Sequence, residues 1–171
     1  SCLVGSEMCI RDSINVNAFS PSFLYNAVLA HEGRENDCMI GAHISDALQL
    51  MRDVGSVKLN EFPFDNNCEK NVTTDQKTVA ANNKISDFYR LSFVNAGDNA
   101  KVNRVRQSLH SRHPVILGMK ILDNFKEGTH DNNTWNPALG NPENSNIHAM
   151  LVVGYDDIEQ RFELMNSWGN A

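Results

Sequence analysis

The residues of this chain whose types and spacing could do chemistry are His148 and the run Asn166-Ser167-Trp168-Gly169. Between them lie Ala149-Met150-Leu151-Val152-Val153-Gly154-Tyr155-Asp156, a continuous apolar strand closed by a turn signal at Asp156-Asp157. Two strands joined in this way set an imidazole base and a side-chain amide on neighbouring strands. Such a pair needs only a thiol opposite it to become a nucleophilic catalytic site.

The elements that must position them read in order along the chain. Ser20-Pro21 is a hydroxyl N-cap followed by proline at the first helical position, and Phe23, Leu24, Ala27 and Val28 recur at helical spacing until Gly33. A second helix carries Ile44, Ala47, Leu48 and Met51 on one face, with Gly55 as its stop. Glu61 to Cys68 reads as an extended segment entering a turn, because Pro63 disfavours helix at the residue before it. Residues 66 to 84 are polar and expected to be loop, and Lys84 to Leu91 alternates as a strand would. Val102, Val105 and Leu109 mark a third helix with Asp98 placed to cap it, and Pro114 to Met119 is a short buried strand. Asp123 to Asn146, rich in Asn, Gly, Pro and Asp, is a long surface loop of the kind that often carries function. Strands over Ala149–Tyr155 and Arg161–Met165 complete the chain. Helices first and strands last predict an α+β layout, with a helical half of residues 14–90 followed by a strand-rich, antiparallel half of residues 91–171.

Length and composition narrow the classes. The 171 residues suffice for about one domain, burying roughly 70% of the unfolded surface. A formal charge of -6 and a pI near 5.4 argue against nucleic acid as the main partner. No apolar run approaches the roughly 18 residues that a membrane span requires. The compartment, exported or cytoplasmic, is not legible. Cys2, Cys9, Cys38 and Cys68 form no CxxC pair and no zinc spacing. Cys38 and Cys68 fit either a disulfide in an exported protein or buried thiols in a cytosolic one, with polar, loop-like neighbours favouring the disulfide. His110, His113 and distant His130 read as surface histidines rather than a metal site. Asn71-Val72-Thr73 and Asn132-Asn133-Thr134 match the glycosylation pattern, which arises often by chance.

Taken together, the blocks resemble one family. Asn146-Ile147-His148-Ala149 with its following strand, and Asn166-Ser167-Trp168-Gly169, are similar to the histidine and asparagine blocks of papain-like cysteine peptidases. Ser20 to Asn26 resembles the helix-opening segment of bacterial members; Gly41 to Leu48 with Phe62-Pro63-Phe64-Asp65 resembles their next helix and aromatic-Pro-aromatic turn. His113 to Met119 resembles the strand lining the substrate groove. The resemblance spans Ile14 to Gly169 with its blocks in order. It implies a papain-like two-part fold with the active-site groove between the halves. It also implies hydrolysis of peptide or protein substrates through an acyl-enzyme, without metal or cofactor. His148 would be the base, Asn166 its orienter and Trp168 the cover over their hydrogen bond. Gly41 would bring main chain close to the peptide, and Gly118 and Ala149 would line the pocket for the second residue before the cut.

The family's nucleophile precedes all these blocks, in a Gln…Cys segment opening a long helix. Neither Cys2 nor Cys9 has the small and aromatic neighbours of that motif. Residues 1–13 show no helical or strand periodicity and resemble a translated sequencing-adapter remnant, so residues 14–171 are expected to be a partial peptidase domain lacking its nucleophile and inactive as it stands. Two alternatives remain at this stage. One is a catalytically silent papain-fold protein that binds peptides. The other is a different Cys-His-Asn acyl transferase, such as an amidase or transglutaminase.

Overall fold

The computed structural model describes residues 17–35, 37, 41–64, 70–91, 95–125 and 134–166. The four cysteines, residues 1–13, His130, Asn132 and Trp168 lie outside them. The chain divides into two compact units, Ser1–Tyr89 and Arg90–Ala171.

In the first unit, α1 (Pro21–His31) begins as the sequence dictates: the Ser20 hydroxyl accepts from the Phe23 amide at 3.0 Å, and Pro21 needs no partner for the amide it lacks. Gly33, at φ +66°, ends it by letting the Arg34 amide turn back to the Leu29 carbonyl at 2.8 Å. Helix α2 (Ile44–Asp53) stops at Gly55, which takes φ +98° while its amide donates to the Leu50 carbonyl. The buried faces of these helices meet through Ala27, Val28 and Leu50, and a second cluster gathers Phe23, Val57, Phe62 and Ala80. Phe23 and Phe62 pack edge to face, 5.8 Å between centroids.

Two expectations for this unit require correction. Residues 66 to 84, read as loop, contain α3 (Thr74–Ala80). Thr73 caps it reciprocally: its hydroxyl accepts from the Gln76 amide, and the Gln76 side chain accepts from the Thr73 amide. Lys84 to Leu91 is not a strand, because among the described residues no neighbouring strand accepts its ladder. It runs irregularly along the end of α2, held by the Ile85 amide on the Met51 carbonyl, Lys84 Nζ on the Asp53 carbonyl, and the Arg52 guanidinium over the Phe88 ring.

The second unit opens with α4 (Asp98–His110), capped by Gly97 rather than Asp98, which lies in the first turn and complements the helix dipole. Strands β1 (Val115–Leu122), β2 (Ser145–Asp156) and β3 (Arg161–Met165) follow as an antiparallel sheet in that order. The segment between β1 and β2 contains short 3-10 turns at Asp123–Phe125 and Pro137–Leu139. Ile121, Phe125 and Met150 form this unit's core on one sheet face, with Met119, Trp135 and Leu164 against it. The architecture is α+β. Among the described residues no helix is long and apolar enough to cross a membrane.

Candidate active site

His148 sits in the first half of β2, half-buried, across from Met119 of β1. Side chains alternate across a strand, so His148 shares its face with the buried Met150 and Val152. The hairpin to β3 is closed by Asp156, whose carboxylate accepts from the Ile158 and Glu159 amides at 2.8 and 3.1 Å. Those two donors, Glu159 first, hold the Asp156 carboxyl below its ordinary pKa.

The return strand does not run in one register. Near the turn Gly154 pairs with Glu163 and Tyr155 with Phe162, but beyond a bulge Val152 pairs with Leu164 and Leu151 with Met165. The extra residue is Val153. In the turn's register Asn166 would fall opposite Leu151, on the face away from His148. The one-residue shift sets it opposite Met150 instead, on the face of His148 and diagonal to it. The outcome is a hydrogen bond of 2.8 Å between His148 Nε2 and Asn166 Oδ1. A carboxamide oxygen only accepts, so Nε2 carries the proton; in the neutral ring the basic lone pair is then on Nδ1.

Phe125 meets the His148 ring edge to face, with centroids 6.4 Å apart and planes at 62°. Trp135 packs on Phe125 in turn, at 5.0 Å and 81°. Gly118 and Ala149 are opposite one another in the β1–β2 ladder, both exposed, on the sheet face away from His148. Gly41 belongs to the first unit, exposed just before α2, with nothing within 4 Å of where a Cβ would be. Trp168 is outside the described residues.

No protein-family model matches the chain, and no curated protein matches it. Among solved structures it is similar to xylellain, a cysteine protease from Xylella fastidiosa, with a TM-score of 0.68 and 24% identity over 88% of this chain. Its fold is papain-like. The chain spans 59% of that protease's length.

Sequence reasoning did not single out Phe125, Trp135 or the residues that fix them. Asn124 accepts from the Trp135 indole at 2.9 Å through Oδ1 and donates to the Asn136 carbonyl through Nδ2. Gly140 lies so close that a Cβ there would meet Asn124 Oδ1 at 2.3 Å and Leu122 Cβ at 2.7 Å. Asp123 ties the segment down by accepting from the Asn141 and Asn124 amides, each at 2.9 Å. The only sequence signal was the Asn/Asp/Gly/Pro richness of the loop.

These donors, the Asn141 amide foremost, hold the Asp123 carboxyl below its ordinary pKa of 3.8. A carboxylate depressed on folding contributes stability that is complete above the unfolded value and disappears as pH falls through the folded one. The melting-temperature loss caused by Asp123→Ala is therefore expected to be constant from near-neutral pH down to about 5 and to shrink below about 4. Thermal melts of both proteins across that range measure it; a difference that grows on acidification would contradict the assignment.

Proposed function

We propose that the chain belongs to a cysteine-type peptidase in which His148 is the proton-transfer residue and Asn166 its orienter. The observation that carries the reading is the 2.8 Å bond from Nε2 to the Asn166 amide oxygen, which leaves Nδ1 as the basic atom. The likeness in fold to a cysteine protease supports it.

In this reading Nδ1 takes the proton of a cysteine thiol, giving a thiolate beside an imidazolium. The sulfur attacks the peptide carbonyl carbon, a C–S bond forms and the carbonyl electrons move to oxygen. As that tetrahedral species collapses, the C–N bond breaks and the imidazolium delivers its proton to the departing amine. Water, deprotonated by the same imidazole, then hydrolyses the thioester and regenerates the thiol. Trp168 would shield the His148–Asn166 bond from water and so strengthen it. Gly41 would offer main chain to an extended peptide, and Gly118 with Ala149 would leave room for an apolar side chain two residues before the cut. Cys2 and Cys9 lack the motif's neighbours, and Cys38 and Cys68 both come after the Ser20–Asn26 block, the first of those that the nucleophile should precede. The nucleophile is accordingly placed in sequence preceding Ile14 in the full-length protein.

An epoxide that traps active-site thiols, applied to the full-length protein, should label one cysteine in that segment and abolish peptide cleavage. Absence of both labelling and cleavage would overturn the reading in favour of a silent peptide binder. Asn166→Ala is expected to lower kcat by about 10- to 100-fold with KM changed little, since the imidazole is kept but loses its orientation. Steady-state kinetics on the full-length variant measure this, and an unchanged kcat would remove Asn166 from the mechanism.

A further inference from the structure

The geometry points to Phe125 and Trp135 as positioning residues that hold the His148 imidazole in line with Asn166. The inference rests on the peptidase reading for its kinetic arm alone.

The hydrogen bond at Nε2 fixes the position of one ring atom. The tilt of the ring plane is set by what packs against the ring. Phe125 makes such a contact. It is buried, 8% exposed, and meets His148 edge to face. Its own ring would be free to tilt if it were packed only by aliphatic neighbours, but Trp135 closes on it at 5.0 Å with nearly perpendicular planes. Aromatic pairs favour such perpendicular or offset arrangements at these separations because ring edges are positive and faces negative. The orientation of one ring therefore restricts the next.

Trp135 is in turn anchored by chemistry rather than by packing alone. Its indole N–H donates to Asn124 Oδ1, Asn124 is the residue directly before Phe125, and its Nδ2 binds the Asn136 carbonyl directly after Trp135. One side-chain amide thus bridges the two neighbours of the ring pair. The lack of a side chain at Gly140 lets that amide fit, and Asp123 fixes the loop behind it. The arrangement reaches the base from β1 and its following loop, independently of the β2–β3 hairpin that carries His148 and Asn166. The base is held by contacts from two separate segments.

The test uses Phe125→Leu, which keeps apolar volume but removes the ring, Trp135→Ala, and Trp135→Phe, which keeps a ring on Phe125. Nitrogen-15 NMR of labelled histidine in the 171-residue chain reads the His148 tautomer directly and does not depend on cleavage. The unmodified chain should show the proton localised on Nε2; Phe125→Leu and Trp135→Ala should show the two tautomers averaging, and Trp135→Phe should restore localisation. In the full-length enzyme the first two variants should lose about 10-fold or more in kcat with KM held within about 2-fold, whereas Trp135→Phe should stay within about 3-fold of wild type. Full localisation on Nε2 in both Phe125→Leu and Trp135→Ala, at unchanged melting temperature, would overturn the proposal. Loss of localisation only alongside a collapsed melting transition would do so too, since it would reduce both rings to ordinary core. A full-length protein without peptidase activity but with the expected NMR pattern would instead count against the proposed function.

Discussion

His148→Ala in the full-length protein is expected to lower kcat/KM for peptide cleavage by about 10³-fold or more. The substitution removes the proton acceptor that ionises the nucleophile and the donor that protonates the leaving amine, so both halves of the reaction suffer. An unassisted thiol with a pKa of about 8.5 is only about 3% ionised at pH 7, so thiol labelling by the epoxide should slow in parallel. That second readout separates loss of the base from loss of substrate binding, which would raise KM and leave labelling untouched. The fold should survive. His148 is only half-buried, and the core beneath it, Ile121, Phe125 and Met150, keeps its own contacts. His148→Ala activity within about tenfold of wild type would exclude His148 as the base.

Gly55→Ala is expected to destabilise the first unit by about 3 kcal/mol or more. Two penalties coincide. At φ +98° the backbone is where L side chains rarely go, which costs about 1–3 kcal/mol. The added Cβ would also fall 1.9 Å from the Ala80 carbonyl oxygen and 2.7 Å from its carbon. Neither is the movable end of a flexible side chain. Ala80 is the last residue of α3, fully buried with Phe23, Val57 and Phe62, and its carbonyl accepts from the Asn83 amide. Making room would lift the end of α3 off the core. Gly33→Ala is the matched comparison: φ is +66°, but nothing is within 4 Å of the new atom, so only backbone strain of about 1 kcal/mol is expected. Thermal melts should show Gly55→Ala falling by about 6–12 °C and Gly33→Ala by about 2–4 °C. Equal shifts would mean that the contact with Ala80 relaxes at little cost.

Features settled within one helical turn were legible in the residue order. Ser20-Pro21, Gly33 and Gly55 did what their types require, because caps and stops depend on amides and carbonyls three to five residues away. The capping box of α3 was written just as plainly in Thr73-Thr74-Asp75-Gln76, but seven residues burying one alanine carry no periodicity to draw attention. Lys84–Leu91 shows the opposite failure. Alternation is necessary for a half-buried strand but not sufficient, since a strand also needs a partner that residue order does not name.

For the candidate site the division is sharper. The sequence by itself determined that an imidazole and a carboxamide belong to two strands joined by a tight turn, one within the first strand and the other just past the second. It did not determine that they meet. Side chains alternate with period two, so one residue of slip decides whether Asn166 faces His148 or the opposite side of the sheet. The bulge at Val153 made that choice, and a bulge reflects cross-strand pairing rather than any local preference of β2. Phe125 and Trp135 lay deeper still out of reach. Phe125 ends a 3-10 turn and Trp135 stands in irregular chain, and the contact of Phe125 with His148, like that of Trp135 with Phe125, depends on Asn124, Asp123 and Gly140 closing the loop over a sheet already formed. Residue types name the groups available for catalysis; register and loop closure, which depend on residues far apart in the chain, decide which of them touch.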